Sequence, residues 1–273
     1  MTITVTGATG HLGKLILSEL QGHDVRAVAR RPEAVDGVDA RLGDYDRPET
    51  LTNAFAGTDT LVFVSASDLG KRIVQHRAIV DAAIEAKVGR ILYTSITNAD
   101  TNPITIAREH EATEELIKAS GIPYTFLRNN WYLENYTANL AGTVEHGAVL
   151  GSAGDGRVAA ATRADFAAAA AVVATTEGHD GKAYELGGDQ AFTLTELAEA
   201  IARRYGKPVV YRDLPVEEYA KALESFGVPS GFAQALAQSD AAIAQGALDV
   251  VTGELSRLIG RPTTTVEEFL QKS

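Results

Sequence analysis

Three glycines near the N-terminus constrain the fold of this chain more than any other feature of its sequence. They are spaced Gly-x-x-Gly-x-x-Gly and lie between an apolar run, Thr2–Thr6, and a segment with a helical pattern, His11–Leu20. In a strand–turn–helix unit, the first glycine permits a tight turn, the second lets the backbone approach a pyrophosphate, and the third lets helix and strand pack closely. The sequence therefore predicts a dinucleotide site on this turn, although a structural turn without a ligand would show the same spacing.

The residues predicted to hold the pyrophosphate are those of the turn and the start of the following helix. Backbone N–H groups at a helix N-terminus, together with the positive end of the helix dipole, favour a phosphate there. The predicted cofactor-binding residues of the turn are Gly7, Ala8, Thr9, Gly10, His11 and Leu12.

Short apolar runs alternate with helical patterns through the first half of the chain. The runs are rich in Val, Ile, Leu, Phe or Tyr, which is typical of buried strands. Consecutive strand–helix–strand units imply right-handed crossovers and a parallel sheet. The fold class is therefore predicted as α/β, a doubly wound parallel-sheet Rossmann domain. The predicted strands are Thr2–Thr6, Asp24–Ala29, Ala40–Leu42, Thr60–Ser65, Arg90–Ser95 and Tyr124–Arg128, and the predicted helices are His11–Leu20, Pro48–Phe55, Lys71–Ala86 and Arg108–Ser120.

The pattern loosens after about residue 130. We expect residues 1–130 to form the dinucleotide-binding Rossmann core, and residues 131–273 to form a smaller, mostly helical lobe that lines the substrate cleft and returns segments to the core sheet. Within this lobe the sequence predicts a helix at Trp131–Leu140, a strand at Lys182–Leu186, and a helix at Leu194–Tyr205 whose N-cap is Thr193.

The composition excludes several classes of function. A net charge of −11 argues against a nucleic-acid or anionic-membrane surface, because phosphates would be repelled. The absence of cysteine excludes disulfides and thiol catalysis, and the scattered histidines give no metal-ligand spacing, so no metal site is predicted. No secretion signal is recognisable, and no apolar stretch approaches the ~18 residues that a membrane span needs. We expect a soluble cytoplasmic protein; a homodimer is compatible with the sequence, although no residue pattern in it indicates one.

The end of the second predicted strand bears on the choice between NAD and NADP. NAD enzymes place an acid there, which accepts hydrogen bonds from the ribose 2′-hydroxyl. This strand ends instead at Arg30 and Arg31, and the first acid is Glu33. Paired guanidinium groups can bind a 2′-phosphate that a carboxylate would repel. The sequence therefore favours NADPH, although an arginine pair in a solvated loop would look the same.

Residues after the third, fourth and fifth strands are further candidates for cofactor contacts. Asp44 is placed to accept from the adenine amino group, unless it is a plain turn acid. Val64, Ser65 and Ala66 should run near the adenine ribose and the pyrophosphate. Thr94 and Ser95 should lie near the nicotinamide end.

The helix after the fifth strand lacks the usual catalytic pair of short-chain dehydrogenases. Those enzymes carry Tyr-x-x-x-Lys there, whereas none of the nine tyrosines here has Lys four residues later. His110 stands where the Lys would be, and Ile106 where the Tyr would be. His110 could hold the cofactor or relay a proton near neutral pH, or it could be a packed histidine bonded to Glu114 one turn on. Alcohol dehydrogenation and sugar-nucleotide epimerisation by the usual mechanism are therefore disfavoured.

Taken together, these motifs resemble the NmrA-like atypical short-chain dehydrogenases, which also lack the Tyr-x-x-x-Lys pair. Within that family, the similarity is strongest to bacterial members that reduce quinones or triphenylmethane dyes with NADPH. It covers essentially the whole chain, and one departure is His11, where relatives commonly carry Gln. The segments that carry the resemblance are Gly7–Gly13, Gly43–Tyr45, Tyr93–Ser95, His110–Glu114, Tyr124–Tyr132, Gly154–Gly156, Ala161–Arg163, Tyr184–Leu186 and Leu258–Gly260.

The resemblance implies NADPH binding and hydride transfer to a quinone or another conjugated acceptor. Such acceptors need little acid catalysis, because their π system delocalises the incoming charge, so the site's task is to stack and orient the reactants. By resemblance, His110 and Tyr132 are the candidate catalytic residues, and Tyr45, His110 and Asn129 join the cofactor set. The candidate substrate residues are Asn130, Trp131, Tyr132 and Tyr136, with core packing an equal alternative for Trp131.

Two other functions compete with a quinone reductase. Some NmrA-like proteins bind the dinucleotide without turnover and act as redox sensors, and the glycine turn is needed for both. A carbonyl-reducing or epimerising enzyme is the third candidate, and the missing Tyr and Lys disfavour it.

Overall fold

The structure, a computed structural model, describes residues 1–68 and 70–272, so Ser273 at the end of the predicted lobe lies outside it. In its first half, strands and helices alternate along the chain. Each helix or turn carries the chain back to the amino end of the next strand, as a parallel sheet requires. The strands are β1 (Ile3–Val5), β2 (Val25–Ala29), β3 (Asp39–Leu42), β4 (Thr60–Phe63), β5 (Arg90–Ile96) and β6 (Tyr124–Asn129), and the helices are α1 (His11–Glu19), α2 (Leu51–Phe55), α3 (Arg72–Glu85) and α4 (Ala107–Ala119).

The second half of the chain adds shorter elements, one of which extends the main sheet. The helices are α5 (Glu134–Thr137), α6 (Leu140–His146), α7 (Arg163–Thr175), α8 (Leu194–Tyr205), α9 (Val216–Ser225), α10 (Ser230–Ile243), α11 (Glu254–Ile259) and α12 (Val266–Lys272). The strands are β7 (Ala148–Gly151), β8 (Arg157–Val158), β9 (Lys182–Leu186), β10 (Phe192–Thr193) and β11 (Val210–Asp213).

Within the described residues, seven strands form one parallel sheet in the order β3-β2-β1-β4-β5-β6-β9. The chain order reverses between β1 and β4, which is the switch point where doubly wound sheets bind their ligands. The predicted fold class is therefore confirmed. Two small sheets, β8–β10 and β7–β11, lie in the C-terminal lobe.

Helices cover both faces of the main sheet and account for its fully buried strands. On one face, α1, α7 and α11 pack on the sheet around Ile16 and Phe166; on the other, α2, α3 and α4 pack around Phe55 and Ile79. Every residue of β4 is buried, as expected for a strand covered on both sides. No helix in the described part of the chain is both long and apolar enough to span a bilayer.

The predicted helix at Trp131–Leu140 is wrong in its extent. Within that range only the four residues of α5 and Leu140, the first residue of α6, are helical, and Tyr132 instead forms a parallel bridge with Ala161. A new helix, α6, begins after Asn139, whose side chain caps it by accepting the N–H of Gly142. The predicted Thr193 cap is confirmed as a capping box with Glu196 at the start of α8.

Candidate functional site

The glycine turn joins β1 to α1 and leaves the N-terminus of that helix open. Gly7 has φ of +59°, which glycine tolerates, and a Cβ on Gly13 would lie 2.2 Å from Gly7 O. Gly10 gives α1 no side-chain cap, and the first turn holds no acid. The N–H groups of His11 and Leu12 have no partner among the described residues. This arrangement can hold a pyrophosphate, because free N–H groups and the helix dipole both favour an anion.

Arg30 and Arg31 follow β2 directly, beside the glycine turn. Ala8 N–H donates to Val28 O at 3.3 Å, so the turn lies against the end of β2. Both arginines are exposed, and neither forms an ion pair with another described residue. Two guanidinium groups without a carboxylate partner are thus available to an anion at this position.

The loops after β1, β3 and β4 meet at Val64. The Tyr45 hydroxyl donates to Val64 O at 3.2 Å, and the N–H of Val64 donates to Thr6 Oγ1 at 3.0 Å. A Cβ on Gly7 would lie 3.4 Å from Val64 Cβ. Burial raises the pKa of the Tyr45 hydroxyl, while a hydrogen bond with Thr6 and the charge of Arg30 oppose that rise. Three predicted cofactor segments are therefore in direct contact.

Asp44 stabilises the turn that follows β3. One of its carboxylate oxygens accepts the N–H of Asp46 at 3.1 Å, and its own N–H donates to Thr50 Oγ1 at 2.9 Å. The side chain is half-buried. A local turn role is visible in these contacts, and the adenine contact stays a prediction.

The segment after β4 is fixed by hydrogen bonds to α3 and β5. Ala66 N–H donates to His76 Nε2 at 3.0 Å, and Arg72 Nε donates to Ala66 O at 2.8 Å. Ser65 N–H donates to Thr94 Oγ1 at 3.0 Å. The backbone beside the switch point is therefore held from two sides, which preorganises it for a ligand.

The hydrogen bonds of His76 determine where its proton lies. Because Nε2 accepts from Ala66, Nδ1 carries the proton and donates to Thr113 Oγ1 at 2.8 Å. The Thr113 hydroxyl then donates to Glu109 O at 2.8 Å. Burial lowers the pKa of His76 to about 3, and the charge of Arg72 adds to that effect. His76 is therefore neutral at physiological pH.

His110 lies on the same buried network. Its Nδ1 is 2.7 Å from the Tyr93 hydroxyl, and the Tyr93 ring packs edge-on against His76, with 5.7 Å between the ring centroids. Burial lowers the pKa of His110 well below its ordinary value, and the charge of Arg72 adds to that effect. A neutral imidazole can hold a hydrogen bond but cannot supply an imidazolium proton at neutral pH. These contacts support a holding role for His110 rather than a proton relay.

Glu114 is bonded to Arg128 and not to His110, so that interpretation of the sequence is wrong. The Glu114 carboxylate accepts from Arg128 Nε at 2.9 Å and from Nη2 at 2.7 Å, and Ser95 Oγ donates to it at 2.7 Å. The glutamate side chain is 2% exposed. Arg128 also pairs with Glu185 on β9, so the network ties α4 to three strands.

Asn129 and Tyr132 lie against each other at the end of β6. Burial raises the pKa of the Tyr132 hydroxyl, and a hydrogen bond with Asn129 opposes that rise. The Tyr132 ring packs edge-on against Phe166, and the Arg163 guanidinium lies 4.4 Å from the ring centroid. Asn129 Oδ1 is buried without a partner among the described residues, and an unpaired buried acceptor is costly.

Asn130 and Trp131, which follow β6, make most of their contacts with other residues of the protein. Asn130 is buried; its Nδ2 donates to Leu248 O at 3.1 Å, and its Oδ1 accepts the N–H of Trp131 at 2.7 Å. Trp131 is half-buried and packs with Ile106 against the lobe core. Both the packing and the substrate interpretation of Trp131 therefore stay open.

Tyr136 lies in the core of the C-terminal lobe. Its ring packs edge-on against Phe192, and its hydroxyl is buried with no partner among the described residues. Burial and the nearby Asp240 carboxylate raise its pKa. Asp240 accepts the N–H of Ser152 at 2.9 Å. A contact between Tyr136 and a substrate stays a prediction.

The structure thus brings the predicted loops together at the carboxyl edge of the sheet, and it adds residues that the sequence analysis missed. The missed residues are Arg72, His76, Tyr93 and Thr113, which hold the segment after β4 and His110. One sequence signal could have identified two of them. Arg72, Gln75 and His76 are spaced so that they share a helix face with the apolar Ile79, and polar side chains on such a face are expected to be buried. Across residues 1–68 and 70–272, no cluster of His, Asp or Glu could hold a metal ion.

Three comparisons with known proteins agree with this geometry. The NmrA-like family model matches residues 1–270. Quinone oxidoreductase 2 of Escherichia coli (strain K12) is 45% identical, covering 97% of this chain and 96% of that protein. A crystal structure of an NADPH-dependent quinone oxidoreductase from Escherichia coli, complexed with NADPH, superposes with a TM-score of 0.96 at 44% identity over 99% of each chain. Triphenylmethane reductase from Citrobacter sp., complexed with NADP(H), superposes with a TM-score of 0.95 at 38% identity, covering 99% of each chain.

Proposed function

Because this chain belongs to the NmrA-like family, we propose that it is an NADPH-dependent oxidoreductase that transfers hydride to a quinone or a similar conjugated acceptor. The observation that carries the proposal is the open N-terminus of α1 beside Arg30 and Arg31, which form no ion pair with another described residue. Similarity to an enzyme at 45% identity over nearly the full length favours turnover over a sensor.

The residues present fit NADPH. The N–H groups at the start of α1 would hold the pyrophosphate, and Arg30 and Arg31 would bind the 2′-phosphate. Asp44 and Tyr45 would lie near the adenosine, and the segment Val64–Ala66, with Thr94 behind it, would follow the cofactor toward its nicotinamide end. NADPH supplies the hydride when it is bound, and residues 1–130 provide its site.

The acceptor would bind between the end of β6 and the C-terminal lobe, residues 131–273. Asn129 and Tyr132 would orient it, with the exposed part of Trp131 as a stacking surface and with Asn130 and Tyr136 behind. His110 is neutral and the Tyr132 hydroxyl has a raised pKa, so neither is an effective proton donor at neutral pH. An acceptor whose π system takes up the charge suits such a site, because orientation then dominates catalysis.

The direct test follows NADPH absorbance with the purified protein and a panel of benzoquinones and naphthoquinones, with NADH as the matched control. We expect oxidation of NADPH by at least one quinone, at a higher kcat/KM than with NADH. Tight binding of NADPH without oxidation by any acceptor would instead identify a sensor. Faster turnover with NADH would remove the 2′-phosphate role from the two arginines.

The panel should also include a triphenylmethane dye cation and a simple ketone. Reduction of the dye but of no quinone would support hydride transfer and would show that the acceptor is a dye-like cation instead of a quinone. Reduction of the ketone would contradict the proposal, because a ketone needs the proton donor that this site lacks.

A further inference from the structure

The outward face of α3 carries a regular pattern that the proposed function does not use. Val74, Arg77, Asp81 and Ile84 are separated by three, four and three residues, and all are exposed. Val74 is 74% exposed and Ile84 is 47% exposed, although both are large apolar side chains. This spacing places the four side chains in one stripe along the helix, as in the seam of a coiled coil. A stripe of this kind is a surface that can receive another helix.

The two charged residues at the middle of the stripe have no partner within the chain. Arg77 and Asp81 are four residues apart, the spacing at which a helix commonly forms an ion pair. Neither side chain makes an ion pair or a hydrogen bond with any residue in the described part of the chain. One cation and one anion are thus available to a complementary surface.

The stripe on one copy of the chain is also complementary to the same stripe on a second copy whose α3 runs antiparallel to it. With a two-fold axis beside Ile79, Val74 of one copy faces Ile84 of the other, and Arg77 faces Asp81. Antiparallel coiled coils pair positions in the same crosswise way. The small side chain of Ala78, half-buried beside the stripe, allows the two helices to approach closely.

We propose that two copies of this chain associate through α3, packed antiparallel around a two-fold axis, with Arg77 of each copy paired with Asp81 of the other. A two-fold interface requires one surface to be complementary to itself, and this stripe meets that requirement in both charge and apolar positions. The stripe is neutral, so it offers a contact at which the net charge of −11 does not repel the second copy locally. The inference is independent of the proposed catalytic function.

The size of the stripe sets the strength of the dimer. The helix has 14 residues and is therefore about 21 Å long. One helix pair buries less than the ~1,200 Å² typical of stable interfaces, so the dimer should be weak and concentration-dependent. Its two ion pairs lie near solvent, so added salt should weaken it further.

The test uses two charge reversals, Arg77→Asp and Asp81→Arg, and measures association by sedimentation velocity across a concentration series. The parent chain should form a dimer as concentration rises. Each variant alone should dimerise at least about tenfold more weakly, because it brings like charges together twice. A mixture of the two variants should restore the dimer, since every contact then joins an arginine to an aspartate.

The mixture distinguishes this pairing from any other interface. A parent chain that stays monomeric throughout the series would overturn the proposal, as would single variants that dimerise like the parent. Failure of the mixture to recover association would exclude the crosswise pairing. Lys221→Asp, a reversal of an exposed charge on α9, should leave the dimer unchanged. Circular dichroism and the thermal midpoint of each variant serve as folding controls, because these exposed changes should leave both unchanged.

Discussion

The Tyr93 hydroxyl lies 2.7 Å from Nδ1 of His110, and this contact joins β5 to α4 beneath the candidate site. The Tyr93 ring also packs edge-on against His76, whose Nδ1 donates to Thr113 and whose Nε2 accepts the N–H of Ala66. A continuous path of buried contacts, made of hydrogen bonds and one ring contact, therefore runs from the candidate catalytic histidine to the segment after β4. Since both histidines are neutral, these contacts hold His110 and the segment after β4 in position and transfer no charge at neutral pH.

Replacing Tyr93 by phenylalanine should destabilise the protein by about 1–3 kcal/mol, because Nδ1 of His110 would remain buried without its partner. Urea denaturation measures the free energy of unfolding. We also expect a higher KM for NADPH with a smaller change in kcat, since the loop loses support while the reacting groups remain. Tyr205→Phe, at a half-buried tyrosine on α8, should change stability by less than about 0.5 kcal/mol. Equal effects of the two changes would argue against a special role for Tyr93.

The stability of the protein should fall as pH is lowered from 7 to 5, and His76 should cause part of that fall. Its pKa in the folded state is about 3, below the value of about 6.5 in the unfolded chain. As pH drops below 6.5, the unfolded state takes up a proton that the folded state excludes, so stability present above that pH is progressively lost. His76 should contribute a loss of about 2 kcal/mol over this interval.

The variant His76→Gln tests this directly. A glutamine side chain retains an acceptor for Ala66 and a donor for Thr113 but does not titrate. Urea midpoints measured between pH 7 and pH 5 should therefore fall less steeply for the variant than for the parent. His23→Gln, at an exposed histidine, should keep the parent's slope. A variant slope equal to the parent's would show that His76 is not the titrating group.

Much of the fold could be predicted from the sequence because periodicity is local. The strands of the first half, the glycine turn and the Thr193 cap each depend on a few neighbouring residues, and the structure contains them all. The prediction of a helix at Trp131–Leu140 was wrong because the backbone at the start of this range pairs with a segment distant in sequence. Tyr132 bridges to Ala161.

The candidate site shows the same limit. Glu114 lies one turn from His110, but it pairs with Arg128, which the sheet brings alongside it. The side-chain amide of Asn130 donates a hydrogen bond to the backbone oxygen of Leu248, 118 residues away. The role of His76 depends on which loop its helix packs against, and no local spacing reveals that. Contacts across the sheet are therefore what sequence periodicity cannot supply.

The second and third glycines of the turn should fail in different ways when each is changed to alanine. A Cβ on Gly13 would lie 2.2 Å from the backbone oxygen of Gly7, so Gly13→Ala should cost about 1–3 kcal/mol of stability. Gly10 has φ of −77°, which alanine tolerates, and its Cβ would lie 3.2 Å from Gly7 O. Gly10→Ala should therefore unfold at nearly the parent's urea concentration yet bind NADPH at least about tenfold more weakly, because the methyl group would face the pyrophosphate. Titration of NADPH by fluorescence measures the affinity, and the reverse pattern would contradict the assignment.

The double change Arg30→Ala with Arg31→Ala should raise the KM for NADPH far more than the KM for NADH. A hydrogen bond to a charged group contributes about 1.5–3 kcal/mol, so loss of the 2′-phosphate contacts should raise the NADPH KM by about ten- to a hundredfold. NADH has no 2′-phosphate, and both side chains are exposed, so its KM and the thermal midpoint should change little.

The matched control for this change is Arg47→Ala. It removes an exposed arginine that lies after β3, rather than after β2, and that pairs with Glu49. It should leave the preference for NADPH intact. An equal rise of both KM values in the double variant would mean that the two arginines support the loop rather than the phosphate. A fall in kcat at unchanged KM would mean that they act on the transition state, since uniform binding affects KM alone. Only a selective rise for NADPH is consistent with a 2′-phosphate held by these two guanidinium groups.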